Sequence, residues 1–226
     1  MIGASAIWAV VPVKDTTQAK QRLATALSAQ ARQELALAMF EDVLDTLAAA
    51  RGLAGILIVT EDQAAAEIAA RYSATCSREG ARNGHTGAVT AAARRLSARG
   101  AAMLTLPGDI PLVSPDDIER VLEAHCRAPG FTIVPARDEL GSNAILCAPA
   151  AAVPLRFGEN SFFPHLAAAR ACGIEPTILH LPRIGLDIDG PDDLAEFLKV
   201  PSRTRARRFL DGYARDRLLS TSEAQR

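Results

Sequence analysis

The sequence has little of what marks several large protein classes. Aromatic residues make up 4% of it, and its 4 cysteines include no C-x-x-C pair. Cys76, Cys126, Cys147 and Cys172 stand far apart, as do His85, His125, His165 and His180. Neither set has the spacing of a zinc site or a disulfide framework, and the thiols read as reduced cysteines of a cytoplasmic protein. No stretch approaches the ~20 apolar residues of a membrane-spanning helix. The start, MIGASAIWAVVPVK, lacks the basic residues that precede the apolar run of a signal peptide. Charge of one sign is not in excess: 25 Lys and Arg face 26 Asp and Glu, so no broad attraction to nucleic acid or membrane is expected. The phosphate loop G-x-x-x-x-G-K-[ST], the dinucleotide fingerprint G-x-G-x-x-G and the G-x-S-x-G elbow are all missing. Their absence excludes a P-loop enzyme and argues against a dinucleotide oxidoreductase and an elbow-type hydrolase. No internal repeat is visible.

What is present is an aliphatic chain of 226 residues, 49% hydrophobic, whose short apolar runs alternate with helical patterns. Ile7 to Val13, Gly55 to Thr60, Ala74 to Ser77 and Ala102 to Leu106 read as strands, the longer ones buried on both faces. Between them lie a helix from Ser28, a helix over Asp62 to Arg71 and an alanine-rich helix ending near Arg99-Gly100. Strands alternating with helices predict βαβ units and a mostly parallel sheet. Further on, Phe131 to Pro135, Ala144 to Cys147, Ile178 to Leu181 and Leu186 to Ile188 are predicted strands. Ser114-Pro115-Asp116-Asp117 and Gly190-Pro191-Asp192-Asp193 open helices, so Asp116 and Asp117 are explained by capping. The expected organisation is one α/β domain over residues 1–200. An Arg-rich helix or tail over 201–226 follows, carrying Arg203, Arg205, Arg207 and Arg208.

Chemistry concentrates at predicted strand ends. After Ala102 to Leu106 the chain stops at Pro107-Gly108 and presents Asp109. Ligands of open α/β sheets bind outside the carboxyl ends of strands. Asp187 and Asp189 are two apart, so on a strand both carboxylates face one side while Ile188 turns inward. Such oxygen pairs suit a hard divalent cation such as Mg²⁺, which also removes the repulsion of crowded carboxylates. Lys14, Lys20 and Arg22 follow the first strand and could meet polyphosphate.

Taken in order, Pro12-Val13-Lys14, Ala19-Lys20-x-Arg22-Leu23, Leu106-Pro107-Gly108-Asp109-Ile110-Pro111-Leu112, Gly141-Ser142-Asn143-Ala144, Phe157-Gly158-x-x-Ser161-Phe162 and Gly185-Leu186-Asp187-Ile188-Asp189-x-Pro191-x-Asp193-Leu194 form a joint pattern. It resembles the phospholactate, phosphoenolpyruvate or phosphoglycerate guanylyltransferases of deazaflavin-coenzyme (coenzyme F-420) biosynthesis. The resemblance implies a three-layer α/β/α sandwich of the nucleotidyltransferase (nucleotide-diphospho-sugar transferase-like) fold, and a homodimer. It implies GMP transfer from GTP to the phosphate of a three-carbon acid, with Asp109, Asp187 and Asp189 as Mg²⁺ ligands. Ser142 or Asn143, with Gly158 and Ser161, would bind the acceptor. Ser161 at a helix start, with free backbone N–H groups behind Gly158, is independently a good anion seat. The chain departs from its relatives at Asn83-Gly84-His85-Thr86-Gly87, where they carry a Gly-Leu-Asn-like turn.

Other readings are a nucleotidyltransferase of the molybdenum-cofactor or sugar-phosphate type, a glycosyltransferase using Asp187-x-Asp189, and a non-catalytic nucleotide-binding regulator. The first usually carries a G-x-G-x-R loop after its first strand, absent here. Turnover of a nucleotide sugar would mark the second, and magnesium-dependent pyrophosphate release from GTP would exclude the third.

Overall fold

The structure, a computed structural model, describes residues 6–125, 127–158 and 160–223, with side chains to residue 215. The reading of residues 1–5 as part of no leader, and of Cys126 as a reduced thiol, falls outside those residues, as do Glu159 and 224–226.

In chain order, β1 (Ile7–Pro12) leads through a loop to α1 (Ala29–Ala49), then β2 (Leu53–Val59), α2 (Gln63–Arg71), β3 (Thr75–Ser77), α3 (Gly84–Ser97) and β4 (Ala102–Thr105). The second half runs α4 (Pro115–Ala124), β5 (Gly130–Pro135), β6 (Ser142–Ala148), α5 (Phe162–Ala171), β7 (Thr177–Ile178), α6 (Pro182–Gly185), α7 (Pro191–Lys199) and α8 (Arg205–Glu223). The strands form one sheet in the order β3-β2-β1-β4-β6-β5-β7. All described pairings are parallel except those of β6, which runs against β4 and β5.

The period of two along each strand divides the core between two faces. Ala9, Val11, Ile56, Ile58, Leu104 and Leu146 pack against Phe40, Val43 and Leu44 of α1, Ala65 and Ala69 of α2, and Ile118 and Val121 of α4. Their neighbours Val10, Leu57, Met103, Ile133, Ile145 and Cys147 meet Val89 and Ala92 of α3 and Phe162, Leu166 and Ala169 of α5 on the other side. This is the three-layer α/β/α sandwich expected. Among the described residues no helix is long and apolar enough to cross a membrane.

Helix ends follow their sequence signals. Ser28 Oγ accepts from the Ala31 N–H at the start of α1, and Ser114 and Asp117 form a capping box on α4. Two strand expectations fail. Leu186 to Ile188 is not a strand, and the predicted strand Ile178 to Leu181 shrinks to Thr177–Ile178 before α6 turns the chain. The 186–189 segment is linked by backbone to the loop after β4, the Ile188 N–H donating to the Asp109 carbonyl at 3.0 Å, and one bond makes no ladder.

A third apolar cluster lies beyond the sheet. Leu23, Leu27, Leu35 and Met39 meet Leu112, Leu186, Ile188, Phe197 of α7, and Ala206 and Leu210 of α8. The arginines at the start of α8 are tied down within the chain: Arg205 pairs with Asp45 and Glu41, Arg207 with Asp211, and Arg208 donates to the Arg203 carbonyl. Asp42, buried on α1, caps α8 by accepting from the Arg205 and Ala206 N–H groups at 2.7 and 3.0 Å. Asp42→Ala leaves both amides without that partner and is expected to destabilise the protein by about 1–3 kcal/mol. Urea denaturation reads this as a lower midpoint, and an unchanged midpoint would show that α8 is not held this way.

Candidate active site

Every residue singled out for chemistry lines one open cleft of about 1300 Å³ at the carboxyl edge of the parallel strands. The reversed direction of β6 completes it. Because β6 starts where its neighbours end, its first residues, Ser142 and Asn143, reach the same edge as Asp109.

The loop after β1 is shaped by side chains that substitute for a ladder. Thr16 donates from its backbone N–H and its hydroxyl to Asp62 Oδ2 at the start of α2, at 2.7 and 2.6 Å. The buried Arg32 guanidinium donates to the carbonyls of Ala19 and Leu27. Between these anchors Lys20 adopts the left-handed conformation, φ 51°, uncommon for a residue with a Cβ. Its ammonium is thereby delivered to two carboxylates, Asp109 Oδ2 at 2.5 Å and Asp189 Oδ1 at 2.8 Å. Burial alone would lower the Lys20 pKa, but the charges of Asp109 and Asp189 outweigh it and raise it. Lys20 was expected with Lys14 and Arg22 as a phosphate contact. In the structure its charge is spent on the aspartates, while Lys14 and Arg22 remain exposed in the cleft.

Asp187 and Asp189 flank the fully buried Ile188. Asp187 Oδ1 accepts from Asn143 Nδ2 at 2.9 Å, and the same amide also donates to the Ile184 carbonyl at 3.0 Å. Asn143 therefore holds an aspartate as well as lining the cleft. Burial, followed by the nearby charge of Asp109, pushes the Asp187 carboxyl up to about 6. Burial acts the same way on Asp189, yet Lys20, helped by Arg22 and Lys14, holds it below the usual carboxylate range.

Among the described residues no group of three or more His, Cys, Asp or Glu side chains stands close enough to hold a metal ion as placed. Asp109 and Asp189 are arranged around the Lys20 ammonium, and Asp187 stands beside them on the Asn143 amide. Their donor chemistry nonetheless fits a hard cation: Asp109 Oδ1 is buried with no hydrogen-bond partner among the described residues, and the Asp187 carboxyl is raised by burial and by the charges of Asp109 and Asp189.

At the other end of the cleft, Gly158 takes φ 153°, with open space where a Cβ would stand. The Thr86 hydroxyl fixes the residue before it, accepting from the Phe157 N–H at 2.9 Å and approaching its carbonyl at 3.2 Å. Ser161 precedes α5 without capping it, and its hydroxyl donates instead to Ser142 Oγ at 3.3 Å. The free backbone donors expected there are fewer than anticipated. The Phe162 N–H bonds to the Leu140 carbonyl, and Pro164 has none.

Sequence reasoning missed His165. It is 1% exposed, its Nδ1 lies 2.9 Å from Ser142 Oγ, and its Nε2 accepts from the Arg156 N–H at 3.0 Å. The only signal was its position four residues after Ser161, one helical turn away on the same face. His85 tilts against Phe157, their ring centroids 4.3 Å apart. Burial, then the charge of His85, brings the His165 imidazole down to about 4 from its ordinary 6.5. The fold thus favours the neutral ring: its stabilisation is complete above pH 6.5 and is lost as pH falls toward 4. Between pH 7.5 and 4.5 the wild type is expected to lose on the order of 2 kcal/mol more than His165→Asn in urea denaturation. Parallel losses would contradict the assigned neutral state.

Residues 7–223 match the family "Guanylyl transferase CofC like". The chain is 37% identical over 190 residues to the phosphoenolpyruvate guanylyltransferase of Rubrobacter xylanophilus, covering 84% of this chain and 92% of that one. It is 36% identical to the 3-phospho-D-glycerate guanylyltransferase of Colwellia psychrerythraea, covering 82% and 88%. It is 31% identical to the 2-phospho-L-lactate guanylyltransferase of Methanothermobacter thermautotrophicus, covering 89% and 88%. In fold it is similar to a nucleotidyl transferase from Methanothermobacter, with a TM-score of 0.59 at 18% identity over 93% of this chain and 100% of that one. Matched over nearly its whole described length, the chain belongs to the CofC-like guanylyl transferase family.

Proposed function

We propose that the protein transfers GMP from GTP to the phosphate of a small three-carbon phospho-acid and releases pyrophosphate. Phosphoenolpyruvate and 3-phospho-D-glycerate are the favoured acceptors, ahead of 2-phospho-L-lactate. The observation that carries this reading is the two-ended cleft. One end gathers Asp109, Asp187 and Asp189 with free cations at Lys14 and Arg22, and the other presents the Ser142 and Ser161 hydroxyls beside Gly158. The names of the relatives support the choice of acceptors.

In the proposed reaction an oxygen of the acceptor phosphate bonds to the α-phosphorus of GTP, and the bond from that phosphorus to the pyrophosphate oxygen breaks. A phosphate monoester, with a second pKa near ~6, is already largely dianionic at neutral pH, so no general base is needed. The protein's work is to align two anions that repel each other. Lys14 and Arg22 neutralise triphosphate oxygens, and Ser142 and Ser161 orient the acceptor. Asp109, Asp187 and Asp189 would hold Mg²⁺, which supplies charge neutralisation on the phosphates when bound.

Incubation with GTP, Mg²⁺ and the three acids in competition, read by mass spectrometry, is expected to yield a guanylylated acid. No new mass with any acid would refute the proposal. Asp109→Asn is expected to slow pyrophosphate release at least ~100-fold with an unchanged circular dichroism spectrum, and wild-type release would remove Asp109 from the machinery. Ser161→Ala should act on the acceptor KM more than on kcat, since its hydroxyl lies at the acceptor end.

A further inference from the structure

The Ser142–Ser161 pair contains two hydroxyls, and a hydroxyl has one proton to give and two lone pairs to receive with. Ser142 Oγ receives from Ser161 Oγ at 3.3 Å and faces His165 Nδ1 at 2.9 Å. Which of the latter two atoms donates depends on the imidazole tautomer. The Arg156 backbone decides it. An amide N–H can only donate, and it points at Nε2 from 3.0 Å, so Nε2 carries the lone pair and Nδ1 the proton. Nδ1–H then donates to Ser142 Oγ. Both lone pairs of Ser142 are engaged, and its own proton has no acceptor among the described residues. The hydroxyl lines the cleft, so that proton is left for a ligand.

We infer that His165 is a positioning residue for the acceptor: its Nδ1–H tautomer, selected by the Arg156 amide, turns the Ser142 proton into the cleft toward an anionic oxygen. The inference rests on the reading that the acceptor's carboxylate or phosphate lies at Ser142. With the opposite tautomer Nδ1 would be an acceptor and would capture that proton, while Nε2–H would oppose the Arg156 N–H. The ring has little freedom to leave this arrangement. It is buried on α5, and Phe157 stands edge-on to it at 5.0 Å. Burial keeps it neutral at physiological pH.

Asn and Gln separate the two nitrogens of the ring. In His165→Asn the amide N–H sits where Nδ1–H was and keeps the donor to Ser142. In His165→Gln the carbonyl can replace Nε2 opposite Arg156, but the donor that Nδ1–H gave Ser142 is lost, and only Ser161 still donates to it. With Mg²⁺, GTP and either phosphoenolpyruvate or 3-phospho-D-glycerate, His165→Gln is expected to raise the acceptor KM about 10-fold and leave the GTP KM unchanged. His165→Asn should stay within ~3-fold of wild type. Equal effects of the two variants, or an unmoved acceptor KM in His165→Gln, would overturn the role of His165. Ser142→Ala separates that failure from failure of the underlying reading, because an unchanged acceptor KM in Ser142→Ala would show that no acceptor lies there. A measurement on the unaltered protein complements the variants. Long-range ¹H–¹⁵N correlation at pH 7.5 should show His165 protonated at Nδ1, and protonation at Nε2 would overturn the proposal.

Discussion

The site depends on one backbone hydrogen bond and the side chain beneath it. The Ile188 N–H donates to the Asp109 carbonyl at 3.0 Å, and the Ile188 side chain is wholly buried among Leu23, Met39, Leu186 and Phe197. The bond fixes the distance between two parts of the chain that are far apart in sequence. The burial fixes which way Asp187 and Asp189 face, because a residue whose side chain is locked inward turns its neighbours outward along extended backbone. The apolar cluster under the site is thus its scaffold: α7 and α8, which carry no proposed chemistry, hold the segment that does.

Around this scaffold the charges form a graded set. Asp189 is matched by Lys20, while the half-buried Asp187 lies near the charge of Asp109 and is supported by the Asn143 amide and its own backbone N–H. The cations are unevenly shared: Lys20, Arg22 and Lys14 act on Asp189, while the Asp187 carboxyl meets the like charges of Asp109 and Asp189, a repulsion that a bound cation would relieve. Around Ser142 and Ser161 the cleft offers hydroxyls, and the nearby Asp138 carboxylate accepts from the Leu140 and Gly141 N–H groups. In the proposed reaction the aspartates would face a cation-neutralised triphosphate and the hydroxyls a small anion.

Much of this was legible in the sequence because it rests on local signals. Buried strands showed as apolar runs, helix starts as Ser28 and Ser114, and Asp109 as an acid after a strand stop. Asp187 and Asp189 were read as sharing a face through a strand that does not exist. Both nonetheless line the cleft, on either side of an Ile188 whose side chain is buried. The direction of β6 was illegible, since a run buried on both faces reads alike in either orientation. Lys20 was assigned to phosphate because nothing local reveals a left-handed backbone or partners 89 and 169 residues away. His165 was passed over as one of four scattered histidines. Its meaning comes from Arg156 and Ser142, which only the fold brings to it.

The central claim is that Asp109, Asp187 and Asp189 act as one cation-binding set beneath a nucleotide. A crystal structure grown with Mn²⁺ and a non-hydrolysable GTP analogue, with anomalous data, tests it most directly. The account predicts an anomalous peak within coordination distance of Asp109 Oδ1 and at least one of Asp187 and Asp189, with Lys20 released from one of its carboxylates. Nucleotide bound in the cleft with no metal at these aspartates, and Lys20 still bridging Asp109 and Asp189, would contradict it.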